Sequence, residues 1–180
     1  MFSSYQKYQQ FQAAITGDLP ALRNFVESGS MVPNGLDEQG KTALHYAAMH
    51  GQVLIAQYLV SMGWAVDCPS GSCHMTALHC AIESENSVAE REAMVDCLLA
   101  LHANPNAATD TDRRPLYAAA CKGDSVRIIA HLIDAGANLA YRRVDIAYPE
   151  TAFEAAHRCE ANMAVVAYLG PRVPTLRHVG

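Results

Sequence analysis

The segment Thr42-Ala-Leu-His-Tyr-Ala-Ala48 returns as Thr76-Ala-Leu-His-Cys-Ala-Ile82, then in looser form as Arg114-Pro-Leu-Tyr-Ala-Ala-Ala120 and Thr151-Ala-Phe-Glu-Ala-Ala-His157. Successive copies start 34, 38 and 37 residues apart. Self-similarity at such a period signals a stacked array of small helical units, each too small to bury its apolar face alone. In an array of this kind every unit touches only its neighbours, and recognition uses one extended surface.

Each unit reads as two short helices. Thr42 to about His50 gives the first helix of the second unit, and Gly51, which tolerates positive φ, ends it. Val53-Leu-Ile-Ala-Gln-Tyr-Leu-Val60 follows with apolar residues at helical spacing, and Gly63 closes it. The same order runs through Phe11–Thr16, Leu19–Val26 and Gly29; through Ala118–Lys122, Gly123, Val126–Ile133 and Gly136; and through Thr151–Cys159 and Met163–Leu169. The third unit differs. Glu83-Ser-Glu-Asn-Ser-Val-Ala-Glu-Arg-Glu92 makes it about five residues longer, which lengthens the turn between its helices or adds a helical turn. The connection from Gly136 to Thr151 is also long and carries Tyr141, Arg142, Arg143 and Tyr148. Two prolines in 171–180 oppose helix and point to a short, mobile tail.

Composition limits the partners. Half of the 180 residues are hydrophobic and only 17% are charged, so a sizeable core is expected and wholesale disorder is not. A net charge of −5 argues against nucleic acid or an anionic membrane as the main partner. No run of ~18 apolar residues is present to span a bilayer. The first ten residues lack an apolar core of the signal-peptide kind. Six cysteines, Cys68, Cys73, Cys80, Cys97, Cys121 and Cys159, read mostly as reduced, buried, small hydrophobes of a cytoplasmic protein. The nucleus and a host cell remain other compartments open to such a chain.

Asp37-Glu-Gln-Gly-Lys-Thr-Ala-Leu-His45, followed by Ala47-Ala48 and Gly51, resembles the ankyrin repeat, and Gly136-Ala-Asn138 is similar to its closing segment. The resemblance covers nearly the whole chain as a single domain over 1–180. It implies an all-α solenoid of five helix-turn-helix units, about 5–36, 37–70, 71–108, 109–145 and 146–170, joined by hairpin-like loops. The first and last units are divergent caps.

The motif has a physical reason. Thr42 and Thr76 stand where the unpaired N–H groups of a first helical turn need a hydroxyl acceptor. His45 and His79, three residues on, reach back as the second half of a capping box, and Thr151 with Glu154 is the plain form of that box. Arg114-Pro115 places proline where a missing N–H costs little. This structural role for His45 and His79 outweighs a catalytic or metal reading. Cys68, Cys73, His74 and His79 are residue types that zinc favours, but their spacing fits no standard zinc pattern. A metal- or redox-responsive protein using Cys68, Cys73 and His74 is therefore the minor alternative. Trp64 reads as packing against the next unit. Glu83, Glu85, Glu90 and Glu92 read as a solvated acidic flank.

No nucleophile–base set or phosphate loop emerges, and no cofactor is expected. The resemblance implies a non-catalytic scaffold or adaptor, monomeric alone, that binds another protein through its concave face and loop tips. An inhibitory or accessory subunit of an enzyme differs only in the partner. Carried over by motif, the tips offer Glu38, Gln39, Lys41, Ser72, Cys73, Met75, Asp110, Thr111, Arg113 and Tyr148. The ends of the first helices offer Met49, His50, Glu83, Ser84, Cys121 and Lys122, with Arg158 and Cys159 in the last unit. Met49, His50, Met75 and Tyr148 are the expected anchors, because adaptable methionines and rigid aromatics dominate contact energies.

Because capping accounts for His45 and His79, purified protein is expected to carry no stoichiometric zinc and to keep its helicity in a chelator. Metal analysis with circular dichroism checks this; one zinc per chain, with unfolding on its removal, contradicts it.

Overall fold

The computed structural model describes residues 4–71, 73–144 and 149–172. Its helices come in pairs: α1 (Ser4–Thr16) with α2 (Leu19–Glu27), α3 (Ala43–Met49) with α4 (Val53–Ser61), α5 (Ala77–Glu83) with α6 (Val88–Ala100), α7 (Pro115–Lys122) with α8 (Val126–Asp134), and α9 (Ala152–Arg158) with α10 (Met163–Leu169). The first helices stack in chain order as one layer, and the second helices stack behind them as another. One core runs between the layers, with Leu22, Leu44, Ile55, Leu59, Leu78, Met94, Leu98, Ile129, Leu132 and Leu169 fully buried. Burying each such side chain stabilises the fold by roughly 1.5–3 kcal/mol. The alanine pairs Ala47-Ala48 and Ala119-Ala120 are also buried, which lets successive first helices approach closely. Trp64, at 3% exposure, packs into this core.

The insertion in the third unit adds helix rather than loop. α6 has 13 residues where α4 and α8 have 9. Ser87 begins the extra turn, and its hydroxyl accepts from the Glu90 N–H while the Glu90 carboxylate accepts from the Ser87 N–H. Arg91 inside this turn is 2% exposed and donates to the carbonyls of Asn86 and Ile82 and to Asp124 of the next unit. The neighbouring Glu92 accepts from the Ser125 hydroxyl at 2.6 Å. These insertion residues fasten unit three to unit four.

Other expectations are corrected too. α1 begins well before Phe11. Only Cys80 and Cys97 are buried; Cys68, Cys121 and Cys159 are half-buried and Cys73 is exposed. Within the long fourth connector, β1 (Arg142–Arg143) pairs antiparallel with β2 (Glu150–Thr151), Arg142 opposite Thr151. Gly170–Arg172 form a 3-10 turn, and the rest of the expected tail lies outside the described residues.

The capping residues do more than end helices. At Thr42 the backbone N–H donates to His45 Nδ1 at 3.1 Å, and the hydroxyl oxygen accepts the His45 N–H. With Nδ1 an acceptor, the ring's proton sits on Nε2 and points at the Met75 carbonyl, 2.8 Å away in the next connector. Thr76 and His79 repeat this, with His79 Nε2 3.0 Å from the Arg113 carbonyl. In the fourth unit Tyr117 takes the histidine's place and its hydroxyl donates to the Glu150 carboxylate. Each bridge ends on the residue just before the next unit's cap. Burial lowers the pKa of His45 and of His79, outweighing the carbonyl bonds that favour the charged ring. Lys41 beside His45 and Arg113 beside His79 act in the same direction; Asp37 and Asp67 oppose them.

The opposite ends of the first helices are also tied to the following unit. Gln52 donates to the Ile15 carbonyl, Asn86 to the Met49 carbonyl and Lys122 to the Ser84 carbonyl, at 3.0, 3.0 and 2.7 Å. The Asn162 N–H does the same for Gly123. Gly123 has φ +64°, and an added Cβ would lie 2.3 Å from that of Ala161 in the next unit, so only glycine fits.

Two outcomes follow from the caps. Thr42→Ala is expected to cost about 0.5–2 kcal/mol, with hydrogen-exchange protection falling mainly in units one to three, because units couple to nearest neighbours. Uniform loss over all five units contradicts the linear coupling. Secondly, a histidine whose folded pKa is depressed binds fewer protons than in the unfolded chain, so stability falls as pH drops below 6.5. Glu150 and Glu154, held low by Arg158 and by the Thr151 N–H respectively, lose their contribution only below about 4.5. Melting between pH 7 and 5 is therefore expected to fall more for the wild type than for His45→Gln/His79→Gln; equal slopes contradict the assignment.

Candidate functional site

The repeat geometry leaves one face where connector tips and first-helix ends of adjacent units meet. Between units two and three they enclose an open cavity of about 500 Å³ lined by Lys41, Met49, His50, Met75, Cys80, Glu83, Ser84, Glu85 and Asn86. Every one of these positions follows from the local fold. Thr42 starts α3 beside Lys41, so that Met49 and His50 fall at the helix's far end. Thr76 starts α5 beside Met75, so that Cys80 lies mid-helix and Glu83 at its last position.

The cavity is apolar at the bottom and charged at the edges. Met49 and Met75 are half-buried against the core, and Cys80 is 6% exposed. Burial pushes the Cys80 thiol up to about 12, so it is neutral and belongs to the apolar floor. His50 is exposed at one end. Asn86, in the loop before α6, closes that end through its bond to the Met49 carbonyl. Lys41 lies on one edge and donates to the Gln39 side chain at 3.1 Å. Glu83 and Glu85 belong to the other edge, Glu83 paired with Arg113 at 3.0 Å and Glu85 with Lys122 at 3.3 Å.

Of the residues read from sequence, the structure brings Lys41, Met49, His50, Met75, Glu83 and Ser84 together around this cavity. Two differ from the expectation. Ser84 is buried and its hydroxyl donates back to the Ala81 carbonyl, so it completes the helix end rather than offering a free hydroxyl. Met49 is not released from packing, since it contacts the core.

The others lie elsewhere. Glu38 and Gln39 are exposed at the first connector tip. Cys73 and Asp110 join successive tips, the Asp110 N–H donating to the Cys73 carbonyl, while Thr111 is exposed beside them. Lys122 caps the end of α5, and Cys121 sits beside Arg158 one unit further on. Ser72 and Tyr148 lie outside the described residues. Cys80, Glu85 and Asn86 were missed: relative to the caps, Met49 and His50 correspond to Glu83 and Ser84 instead, Cys80 reads as a buried helix residue, and Glu85 and Asn86 fall in the inserted stretch, where no repeat position marks them.

The metal cluster suggested by residue type is dispersed. His74 pairs with Asp110, His79 serves the cap, and Cys68 donates weakly to the Pro69 carbonyl. Among the described residues no group of three or more His, Cys, Asp or Glu side chains is placed to hold a metal ion. The Tyr141–Arg142–Arg143 patch is structural as well. Tyr141 donates to the Asp112 carbonyl, Arg142 pairs with Glu154, and Arg143 lies over the Tyr117 ring. Arg158 grips Glu150 through both Nε and Nη2, which holds that carboxyl below its usual range. Among the described residues no helix is long and apolar enough to cross a membrane.

Two family models agree with this geometry. One described as ankyrin repeats in three copies matches residues 11–91, and one described as a single ankyrin repeat matches residues 73–110. Among curated proteins, the chain is 38% identical over 61 residues to a palmitoyltransferase akr1 of Schizosaccharomyces pombe. It is 39% identical over 59 residues to a palmitoyltransferase AKR1 of Yarrowia lipolytica. These matches take in about a third of this chain but only 10% and 8% of those proteins, so no activity carries over from them. The capped helix pairs, the inter-unit bridges and the matched models, which together span more than half of the chain, place it in the ankyrin repeat family.

Proposed function

We propose that this chain is a non-catalytic adaptor that binds a partner protein across the connector tips and first-helix ends of units two and three. The observation carrying this reading is the cavity itself. Two half-buried methionines and a neutral thiol form its floor, and charged residues line its edges. An apolar centre within a polar rim is the layout of a protein-recognition surface. Unbranched methionines suit it, because they repack around differently shaped side chains. The surrounding units are locked by bridges at both ends of each first helix, so binding costs little ordering entropy.

Peptides selected from a random display library on the wild-type chain provide the test. Met49→Ala with Met75→Ala is expected to weaken their binding at least ~10-fold, about 1.4 kcal/mol. Leu54→Ser, at a residue 68% exposed on α4, is expected to leave it unchanged. Loss of binding in the α4 variant with retention in the methionine variant contradicts the groove.

A further inference from the structure

Away from the groove, one contact between units joins two thiols. α7 and α9 stack in the first-helix layer, and the chain converges just beyond their far ends at Gly123, where an added Cβ would lie 2.6 Å from the Cα of Ala161. The Asn162 N–H donates to the Gly123 carbonyl at 2.9 Å and fixes that approach. Cys121 precedes Gly123 by two residues, and Cys159 precedes Ala161 by two. The convergence therefore sets the two cysteines side by side, and their thiols are in hydrogen-bonding contact. A disulfide needs Cα atoms roughly 4.4–6.8 Å apart, a spacing that stacked helices reach only where their backbones draw together. Both thiols are half-buried, so a small oxidant can reach them, whereas Cys80 and Cys97 are buried. Arg158 Nη2 donates to Cys121 Sγ at 3.9 Å and places beside the pair a positive charge that favours thiolate.

We propose that Cys121 and Cys159 form a redox site, which a low-molecular-weight disulfide such as glutathione disulfide oxidises to an intramolecular disulfide stapling the last unit to the fourth. The Cys159 thiolate attacks one sulfur of the oxidant; a new S–S bond forms, the oxidant's S–S bond breaks and one small thiol leaves. The Cys121 sulfur then attacks Cys159 Sγ, which forms the protein disulfide and releases the second small thiol. Two electrons pass from the protein dithiol to the oxidant, and the two thiol protons end on the released thiols. The order of attack follows from the surroundings of Cys121. Burial, and next the Cys159 thiol, push the Cys121 thiol up to about 11, against the pull of Arg113 and Arg158. Cys121 is thus a poor first attacker, and capping Cys159 as a mixed disulfide removes one of the causes that hold it protonated. The closed loop stabilises α9 and α10 by restricting the unfolded chain between residues 121 and 159. The bond lies between units four and five, so it acts on the terminal unit and not on the groove between units two and three.

The test equilibrates the full chain, with all six cysteines, in glutathione buffers of rising oxidised fraction, followed by acid quench, alkylation and peptide mapping by mass spectrometry. The Cys121–Cys159 disulfide is expected to form first, at an oxidant-to-reductant ratio at least ~10-fold below that of any other protein disulfide. Hydrogen exchange in α9 and α10 is expected to slow on oxidation. Cys121→Ser is expected to stop with glutathione on Cys159 and to lose that slowing, while Cys159→Ser leaves Cys121 reduced under the same conditions. A different pairing that forms first, or glutathione held on Cys121 and Cys159 with no bond between them, overturns the proposal. Equal slowing of exchange in the oxidised wild type and in oxidised Cys121→Ser overturns the staple. Faster capture of glutathione by Cys121 in Cys159→Ser than by Cys159 in Cys121→Ser overturns the order of attack.

Discussion

The structure depends on one recurring bond: the side chain three residues after each cap reaches the residue just before the next one. His45 does this to Met75, His79 to Arg113 and Tyr117 to Glu150. The imidazole serves because its two nitrogens have opposite roles. One accepts from the cap and closes its own helix; the other donates to the following connector. Local helix initiation and inter-unit register are thus set by the same ring, and the ring must be neutral to do both. Tyrosine in the fourth unit keeps only the outward bond, and there Pro115 makes a cap acceptor less necessary. Its partner is a carboxylate rather than a carbonyl, and Arg158 is recruited to balance it.

This arrangement explains why the groove is stiff where it needs to be. Cap bridges fix the tips, so Lys41 and Met75 hold their separation. Gln52, Asn86 and Lys122 fix the far helix ends. A third line of bonds joins the backs of the connectors: the Asn34, Asp67 and Asn106 side chains accept from the N–H groups of Ala65, Asn104 and Asn138. The floor between Met49 and Met75 is left with side chains that deform easily on a backbone that does not.

Much of this was legible in the sequence, for particular reasons. Thr42, Thr76 and Thr151 with their partners three residues on state helix starts directly, since the pattern is local. The apolar spacing of the second helices did the same for α4, α8 and α10. Contacts between units were not legible, because no local rule says that His45 Nε2 meets Met75 or that Arg91 reaches Asp124. The insertion is the clearest case. Its charged residues suggested a solvated flank, yet Arg91 is buried, since extending α6 by a turn swings that position inward against the fourth unit. Cysteine burial was misjudged where the residue lies outside a core position: Cys68 and Cys73 sit in a connector, Cys159 follows the last turn of α9, and Cys121 lies on a partly open face of α7.

Methyl NMR of protein carrying ¹³C-labelled methionine methyl groups tests the central claim most directly, that recognition occupies the floor between units two and three. Titration with a peptide selected for binding should shift the Met49 and Met75 signals while Met62 and Met163, both exposed on the second-helix layer, stay in place. Shifts confined to Met62 or Met163, with Met49 and Met75 unmoved, would contradict it.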